Sequence, residues 1–294
     1  MPIRWPVVAG RFYPSDPVRC RAELEACLPA ARDQPTIDGV VVGGVGPHAG
    51  WICSGAIAAR VAALCAREGP RTAILFGAVH VPHVERPSLY ARGSWQTPLG
   101  TVDIDEPLAE RIAAESSLIR VDETAHRHEH SIEVHVPFLQ RYLAPLRIVP
   151  IMVPPGDDAA AVGDEVGRVA RAAGGHVLVL GSSDLTHYGP AYEFTPYGVG
   201  AAGLRWAKQE NDRRMIDLIL RLDATAVVPE ARAHGNACGS GAIAATIAAC
   251  RQLGADRAVL LDHATSFEVL SARYPEEPTD AVGYAGIVFV RSAA

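Results

Sequence analysis

The sequence predicts an α/β fold, a single-domain sandwich over residues 1–294 with a mostly buried central β-sheet flanked by helices. Three observations predict it. Several short β-branched runs are apolar almost without interruption, as strands are when both faces of their sheet are covered. Helical stretches lie between some of them, the alternation that builds an α/β sandwich. The 294 residues would suffice for two domains, but no stretch rich in Pro, Gly or Ser parts two halves of different character.

Taken in order, Pro17–Ala31 reads as a helix, Val40–Gly46 (VVVGGVG) as a buried strand and Gly55–Arg67 as a second helix. Thr72–Phe76 (TAILF) is the next strand, followed by the helices Leu108–Ser116 and Ser131–Leu143. In the last of these, Ile132, Val136, Leu139 and Leu143 recur at helical spacing and mark a buried stripe. Leu146–Val153 (LRIVPIMV) is a strand, Asp157–Ala173 a helix, and Val177–Leu180 (VLVL) a strand. Helices are expected over Leu204–Leu222 and Gly239–Leu253, then strands over Ala258–Leu261 and Ala285–Val290. Gly, Pro or polar turn residues bound the strands. No solenoid-type repeat or low-complexity tract appears.

Composition removes several function classes. The formal net charge is −6 and no Lys/Arg block stands out, so no basic stripe is expected that would displace counterions from nucleic-acid phosphates. The longest apolar run, Gly241 to Cys250, is too short to span a bilayer. The N-terminus, MPIRWPVVAGRFYP, lacks an apolar core of signal-peptide length. A soluble, cytoplasmic protein without nucleic-acid or membrane partners is expected. Six cysteines show no CxxC pair; those at 20, 27, 53, 65 and 250 read as buried, reduced thiols serving as small apolar residues.

The ends of three expected strands carry histidine-bearing turns: Pro47-His48-Ala49-Gly50, Gly77-Ala78-Val79-His80 and Gly181-Ser182-Ser183-Asp184-Leu185-Thr186-His187. Open α/β sheets hold their ligands beyond the carboxyl ends of strands. A lone strand-end histidine is more often a hydrogen-bonded structural residue than a ligand. His48 and His80, after separate strands, point instead to metal, since neutral imidazole is the commonest metal ligand. His83 is either a substrate contact or an exposed loop residue.

Cys238 lies in Gly235-Asn236-Ala237-Cys238-Gly239-Ser240-Gly241, at the start of an expected helix. A helix N-terminus favours the thiolate, the form that binds metals or attacks electrophiles; a small residue packed at a tight turn fits the local pattern equally well. In Ser182-Ser183-Asp184-Leu185-Thr186-His187-Tyr188, Asp184 or a backbone carbonyl would hold His187 in one tautomer and make it a positioned general base. The alternative is a helix-capping aspartate and a surface histidine. The nucleophile elbow GxSxG is absent, so a hydrolase is disfavoured. The string His126-Arg127-His128-Glu129-His130-Ser131-Ile132-Glu133 lacks the HExxH spacing of a zinc protease. His130 is expected to face the pocket, and His126 and His128 to be solvated.

Together these segments resemble the Memo family nearly end to end. The resemblance runs through Val8-Ala9-Gly10-Arg11-Phe12-Tyr13-Pro14, Pro47-His48-Ala49-Gly50-Trp51 with Ser54-Gly55, and Trp95-Gln96-Thr97-Pro98-Leu99-Gly100. It continues through Glu129-His130-Ser131-Ile132-Glu133-Val134-His135-Val136-Pro137-Phe138, the Ser182–Tyr188 segment, and Ala237-Cys238-Gly239-Ser240-Gly241. It implies a fold like that of class III extradiol dioxygenases, which cleave catechol rings with non-haem Fe(II). It also implies one divalent metal ion, Fe(II) first and Zn or Cu next, on His48, His80 and Cys238, with Cys238 where the dioxygenases carry a glutamate. His187 matches the dioxygenase base, Asp184 lies beside it, and His130 matches a pocket histidine. One departure is Gly77-Ala78-Val79 before His80, where the family commonly has Pro and a small polar residue.

The expected function is therefore a non-haem metal redox or oxygen-dependent enzyme acting on a small, phenolic molecule. A non-enzymatic metal- or partner-binding protein using the same pocket is the other class. The resemblance further implies a radical-SAM protein as a partner in the same system.

Overall fold

In a computed structural model, residues 2–28, 35–67, 69, 71–174, 177–271 and 279–293 are described. They contain twelve strands of one sheet. In chain order these are β1 (Ile3–Arg4), β2 (Val40–Gly46), β3 (Thr72–Gly77), β4 (Ser88–Leu89), β5 (Ser94–Thr97) and β6 (Gly100–Ile104). The second half of the chain adds β7 (Arg120–Val121), β8 (Arg147–Met152), β9 (Val177–Ser182), β10 (His187–Tyr188), β11 (Arg257–Thr265) and β12 (Ala281–Arg291). The spatial order is β1-β5-β6-β8-β3-β9-β2-β12-β10, with β11 paired to β12 and β4 bridging β7 and β8.

The centre of the sheet, β8-β3-β9-β2, is parallel throughout, and β12 closes it antiparallel to β2. That is why the central strands read as continuous apolar runs. Ile74, Phe76, Val149, Ile151 and Val179 are fully enclosed, covered by helices on both faces. Burying each such side chain contributes roughly 1.5–3 kcal/mol.

The expected α/β sandwich is the observed architecture. The helices are α1 (Pro17–Cys27), α2 (Trp51–Cys65), α3 (Glu106–Glu115), α4 (Val136–Tyr142) and α5 (Ala159–Ala172). They continue as α6 (Ala201–Trp206), α7 (Asp212–Leu220), α8 (Ala224–His234), α9 (Ser240–Gln252) and α10 (Ser266–Ser271). Asp16 and Asp105 cap α1 and α3 through their carboxylates, each followed by a proline in the first turn. The expected end of the first helix, residues 29–31, lies outside the described residues.

Three expectations about the helices are corrected. Ser131–Leu143 is not one continuous helix: a 3-10 turn, Glu133–His135, precedes α4. The apolar stripe Ile132, Val136, Leu139 and Leu143 is nonetheless buried. Leu204–Leu222 is interrupted by a π-turn, Ala207–Asn211, between α6 and α7. The π-turn rotates Asn211 and Asp212 inward, where both are buried. Helix α8 is not among the expected helices; Pro229 sits inside it, where proline ordinarily argues against a helix.

The N-terminal segment is tied to the site's floor by a buried ion pair. Arg4 Nη1 meets Glu133 Oε2 at 2.7 Å while its Nη2 donates to the Glu129 carbonyl, and the guanidinium lies over the Trp95 ring. Glu133 also accepts from the Val7 and Val8 amides and from the Tyr13 hydroxyl. A buried carboxylate with this many donors is fully compensated.

Candidate metal centre

Neighbouring parallel strands β3, β9 and β2 end at one edge of the sheet, and the turns after them form the crevice that parallel sheets offer to ligands. His48 follows β2 by two residues and His80 follows β3 by three. After β9 comes Ser183, whose amide donates to the Gly46 carbonyl at 3.0 Å and so joins the turns of β9 and β2. The strand-end histidines thus converge because their strands are neighbours.

A third imidazole joins them. Ligand-capable atoms of His48, His80 and His130 all lie within 4.8 Å of one another. His48 is enclosed, His130 half-buried and His80 exposed at the mouth. The rings of His48 and His80 meet edge to face with centroids 4.9 Å apart. Burial, reinforced by the neighbouring histidines, holds His48 well below the usual imidazole range. Burial also lowers His130. Both are therefore neutral near pH 7, the form that binds a metal.

Glu129 organises two of the three. Its Oε2 accepts from the His80 amide at 2.6 Å, and its Oε1 accepts from His80 Nδ1 at 3.1 Å and from the His130 amide at 2.7 Å. Since a carboxylate only accepts, His80 Nδ1 carries a proton and Nε2 is the atom left for the pocket. Burial pushes the Glu129 carboxyl up, but the His80 ring and the main-chain N–H groups outweigh it and hold the group at about 2.

Cys238 stands next to His48. Its Sγ lies 3.3 Å from His48 Nε2. Gly239 and Gly241 make this possible: a Cβ on the first would strike the Ser182 carbonyl, and on the second the Pro154 carbonyl. The start of α9 was expected to favour the thiolate. Instead, burial and then the nearby Asp184 carboxylate push the thiol well above its ordinary range, so it is protonated at neutral pH.

Asp184 ties the two loops together rather than steering His187. Its Oδ1 accepts from the His48 amide at 2.8 Å, and its carbonyl accepts from the Cys238 amide at 3.3 Å. Burial raises its carboxyl to about 7. His187 is oriented by a backbone carbonyl: Nδ1 donates to Leu185 O at 3.1 Å, which leaves Nε2 as an acceptor. Its ring stands edge to face against Tyr192, centroids 5.0 Å apart. The turn that carries His187 is fixed from behind, where Asp212 accepts from the Thr186 amide and Asn211 donates to the Thr186 hydroxyl.

Of the remaining histidines, His83 and His128 are exposed loop residues. His126 corrects the expectation of a solvated side chain. It is fully buried, with Nε2 donating to the Ser88 carbonyl at 2.9 Å. Sequence reasoning assigned no role to Glu129, Ser182 or His135. The only signal for Glu129 and His135 was their place in the Glu129–Phe138 segment; nothing in the string distinguishes Ser182 from Ser183.

A profile described as Memo-like protein matches residues 4–288. The chain belongs to the Memo family. A MEMO1 family protein of Methanothermobacter thermautotrophicus is 40% identical, covering 96% of this chain and 99% of the relative. One of Thermococcus onnurineus is 37% identical over 98% of this chain and 99% of its own length. One of Methanosarcina barkeri is 35% identical over 97% and 99%. No helix among the described residues of this Memo protein is long and apolar enough to cross a membrane.

The donor set fits a metal ion. Imidazole nitrogens with a thiol beside them suit a borderline or soft divalent cation, and Glu129 supplies the partner that metal-binding histidines usually have behind them.

Proposed function

We propose that this Memo protein is a metal-dependent redox or oxygen-using enzyme acting on a small phenolic molecule, with Fe(II) as its ion. The single observation that carries the reading is the convergence of His48, His80 and His130 within 4.8 Å, beside Cys238. His48, His80 and Cys238 are the proposed ligands, and His130 is close enough to join them. The bound ion would supply Lewis-acid and electron-transfer chemistry. His187 Nε2, bare because Nδ1 is committed to Leu185, accepts the proton of a substrate hydroxyl. Tyr192, against the His187 ring, orders that base at the mouth.

A second reading, a protein that holds metal or a partner without turnover, is favoured by Cys238. A thiolate is softer than the carboxylate of ring-cleaving Fe(II) sites, selects Zn or Cu(I), and is itself open to oxidation. The retention of a positioned base supports the enzymatic reading over simple storage. By resemblance to its family, a radical-SAM protein is the proposed partner.

The test is metal analysis of anaerobically purified protein, then Fe(II) loading and exposure to a panel of catechols and phenols in air. The expected result is about one ion per chain and consumption of a phenol, with little cleavage of simple catechols by the wild type; Cys238→Glu is expected to gain weak catechol cleavage. Wild-type metal content in the His48→Ala/His80→Ala/Cys238→Ala triple variant would overturn the site. Robust catechol turnover by the wild type would show that the thiolate is no obstacle to ring cleavage.

A further inference from the structure

Ser182, the last residue of β9, is 2% exposed, and its hydroxyl touches three groups at once. The Ser131 carbonyl lies at 2.6 Å, His48 Nδ1 at 2.8 Å and His135 Nε2 at 3.2 Å. A carbonyl oxygen can only accept, so it takes the single hydroxyl proton. The Ser182 oxygen then has only lone pairs to offer the two imidazoles, and each ring must present an N–H to it. His48 is therefore protonated on Nδ1, with Nε2 bare and facing Cys238 Sγ. His135 has the opposite pattern: Nε2 carries the proton, and Nδ1 is bare, buried and without a hydrogen-bond partner among the described residues.

We propose that Ser182 is the tautomer lock of the metal centre, a positioning residue that with His135 keeps His48 Nε2 free as the ligand atom. One constraint closes the lock: turning the hydroxyl toward His48 would leave the buried Ser131 carbonyl without its donor. Gly46 admits His135 to this position, since a Cβ there would crowd the His135 ring at 3.0 Å. His80 is held by the charged Glu129, whereas His48 is held by a neutral hydroxyl.

The purpose of the lock rests on the metal-centre reading, but its existence can be tested without metal. The experiment is two-bond 15N–1H correlation of histidine-labelled, metal-free, full-length protein, with resonances assigned through single His→Gln variants. The expected spectrum has His48 protonated on Nδ1 and His135 on Nε2. Ser182→Ala should shift His48 toward a mixture of tautomers and weaken Zn(II) binding, read by chelator competition, by about 10- to 100-fold. Ser182→Thr, which keeps the hydroxyl, should retain the wild-type spectrum and affinity. An Nε2–H tautomer at His48 in the wild type overturns the proposal, even where Ser182→Ala does not fold. So does a folded Ser182→Ala protein with unchanged tautomers and unchanged Zn(II) affinity. The expected tautomers in a wild type that takes up no Zn(II) would uphold the lock and sink the metal reading.

Discussion

His48 Nε2 and Cys238 Sγ lie 3.3 Å apart. Burial pushes the imidazole down and the thiol up, so the pair is neutral S–H against bare nitrogen. An ion entering between them must displace that proton. Zn(II) uptake at pH 7 is therefore expected to release about one proton per ion, and affinity to rise about tenfold per pH unit, because the thiol must ionise to ligate. Calorimetry in buffers of different ionisation enthalpy reads the proton directly. Cys238→Ser should bind more weakly and release none; a wild type that binds without proton release would place Cys238 outside the coordination.

Glu129→Gln should loosen His80. The carboxylate accepts four N–H groups, and an amide in its place turns an NH2 against at least one of them. The expected loss is about 1.5–3 kcal/mol of stability at pH 7 and about 10- to 100-fold in Zn(II) affinity. The sign with pH follows from the held-down carboxyl: its stabilisation is present above about 4.5 and is lost as pH falls toward about 2. Urea unfolding with chelator competition measures both, and wild-type affinity in the variant would mean that His80 is oriented by something else.

Acid should unfold the protein partly through His126. Burial lowers this imidazole to about 3, so the folded state resists a proton that the unfolded chain takes up near 6.5. Its stabilisation is complete above 6.5 and falls by about 1.4 kcal/mol per pH unit as pH drops toward 3. His135, lowered by burial to about 4, acts in the same direction. Asp184 opposes them, because its raised carboxyl favours folding at low pH and loses that contribution as pH rises through about 7. His126→Gln should flatten the slope of unfolding free energy between pH 6 and 4.5 by about one histidine's worth. An unchanged slope would mean that His126 is accessible to protons in the folded state.

His187→Ala separates binding of the ion from chemistry. The side chain is tied to Leu185 and Tyr192, not to His48, His80 or Cys238, so metal content and fold should stay as in the wild type. Turnover of whichever phenol is found should drop by about 10²–10⁴, the usual contribution of a general base. Loss of metal together with activity would move His187 into the coordination sphere.

Much of the architecture was legible because hydrophobic patterning is local. The strand Val40–Gly46 has its expected bounds, and Thr72–Phe76, Val177–Leu180 and Ala285–Val290 grow by a few residues at their ends. The short strands Ser94–Thr97 and Gly100–Ile104 were not legible. They are brief and polar on one side, and they form strands only because they pair with each other and with β8. The helix α8 was not legible either: it holds Pro229 in its interior, where a helix is ordinarily disfavoured.

By itself, the sequence determined which segments are buried and which turns carry chemistry, since apolar period and strand-end histidines are properties of contiguous residues. Only the tertiary structure decided what those turns do to one another. The side-by-side order of β3, β9 and β2 brings His48, His80 and Ser182 together from positions far apart in the chain. Asp184, three residues from His187, turns instead to the His48 amide. Cys238, at a helix start that should favour the thiolate, keeps its proton because enclosure outweighs the helix end. Protonation states and hydrogen-bond partners are set by what surrounds a group in space, and the fold alone supplies those surroundings.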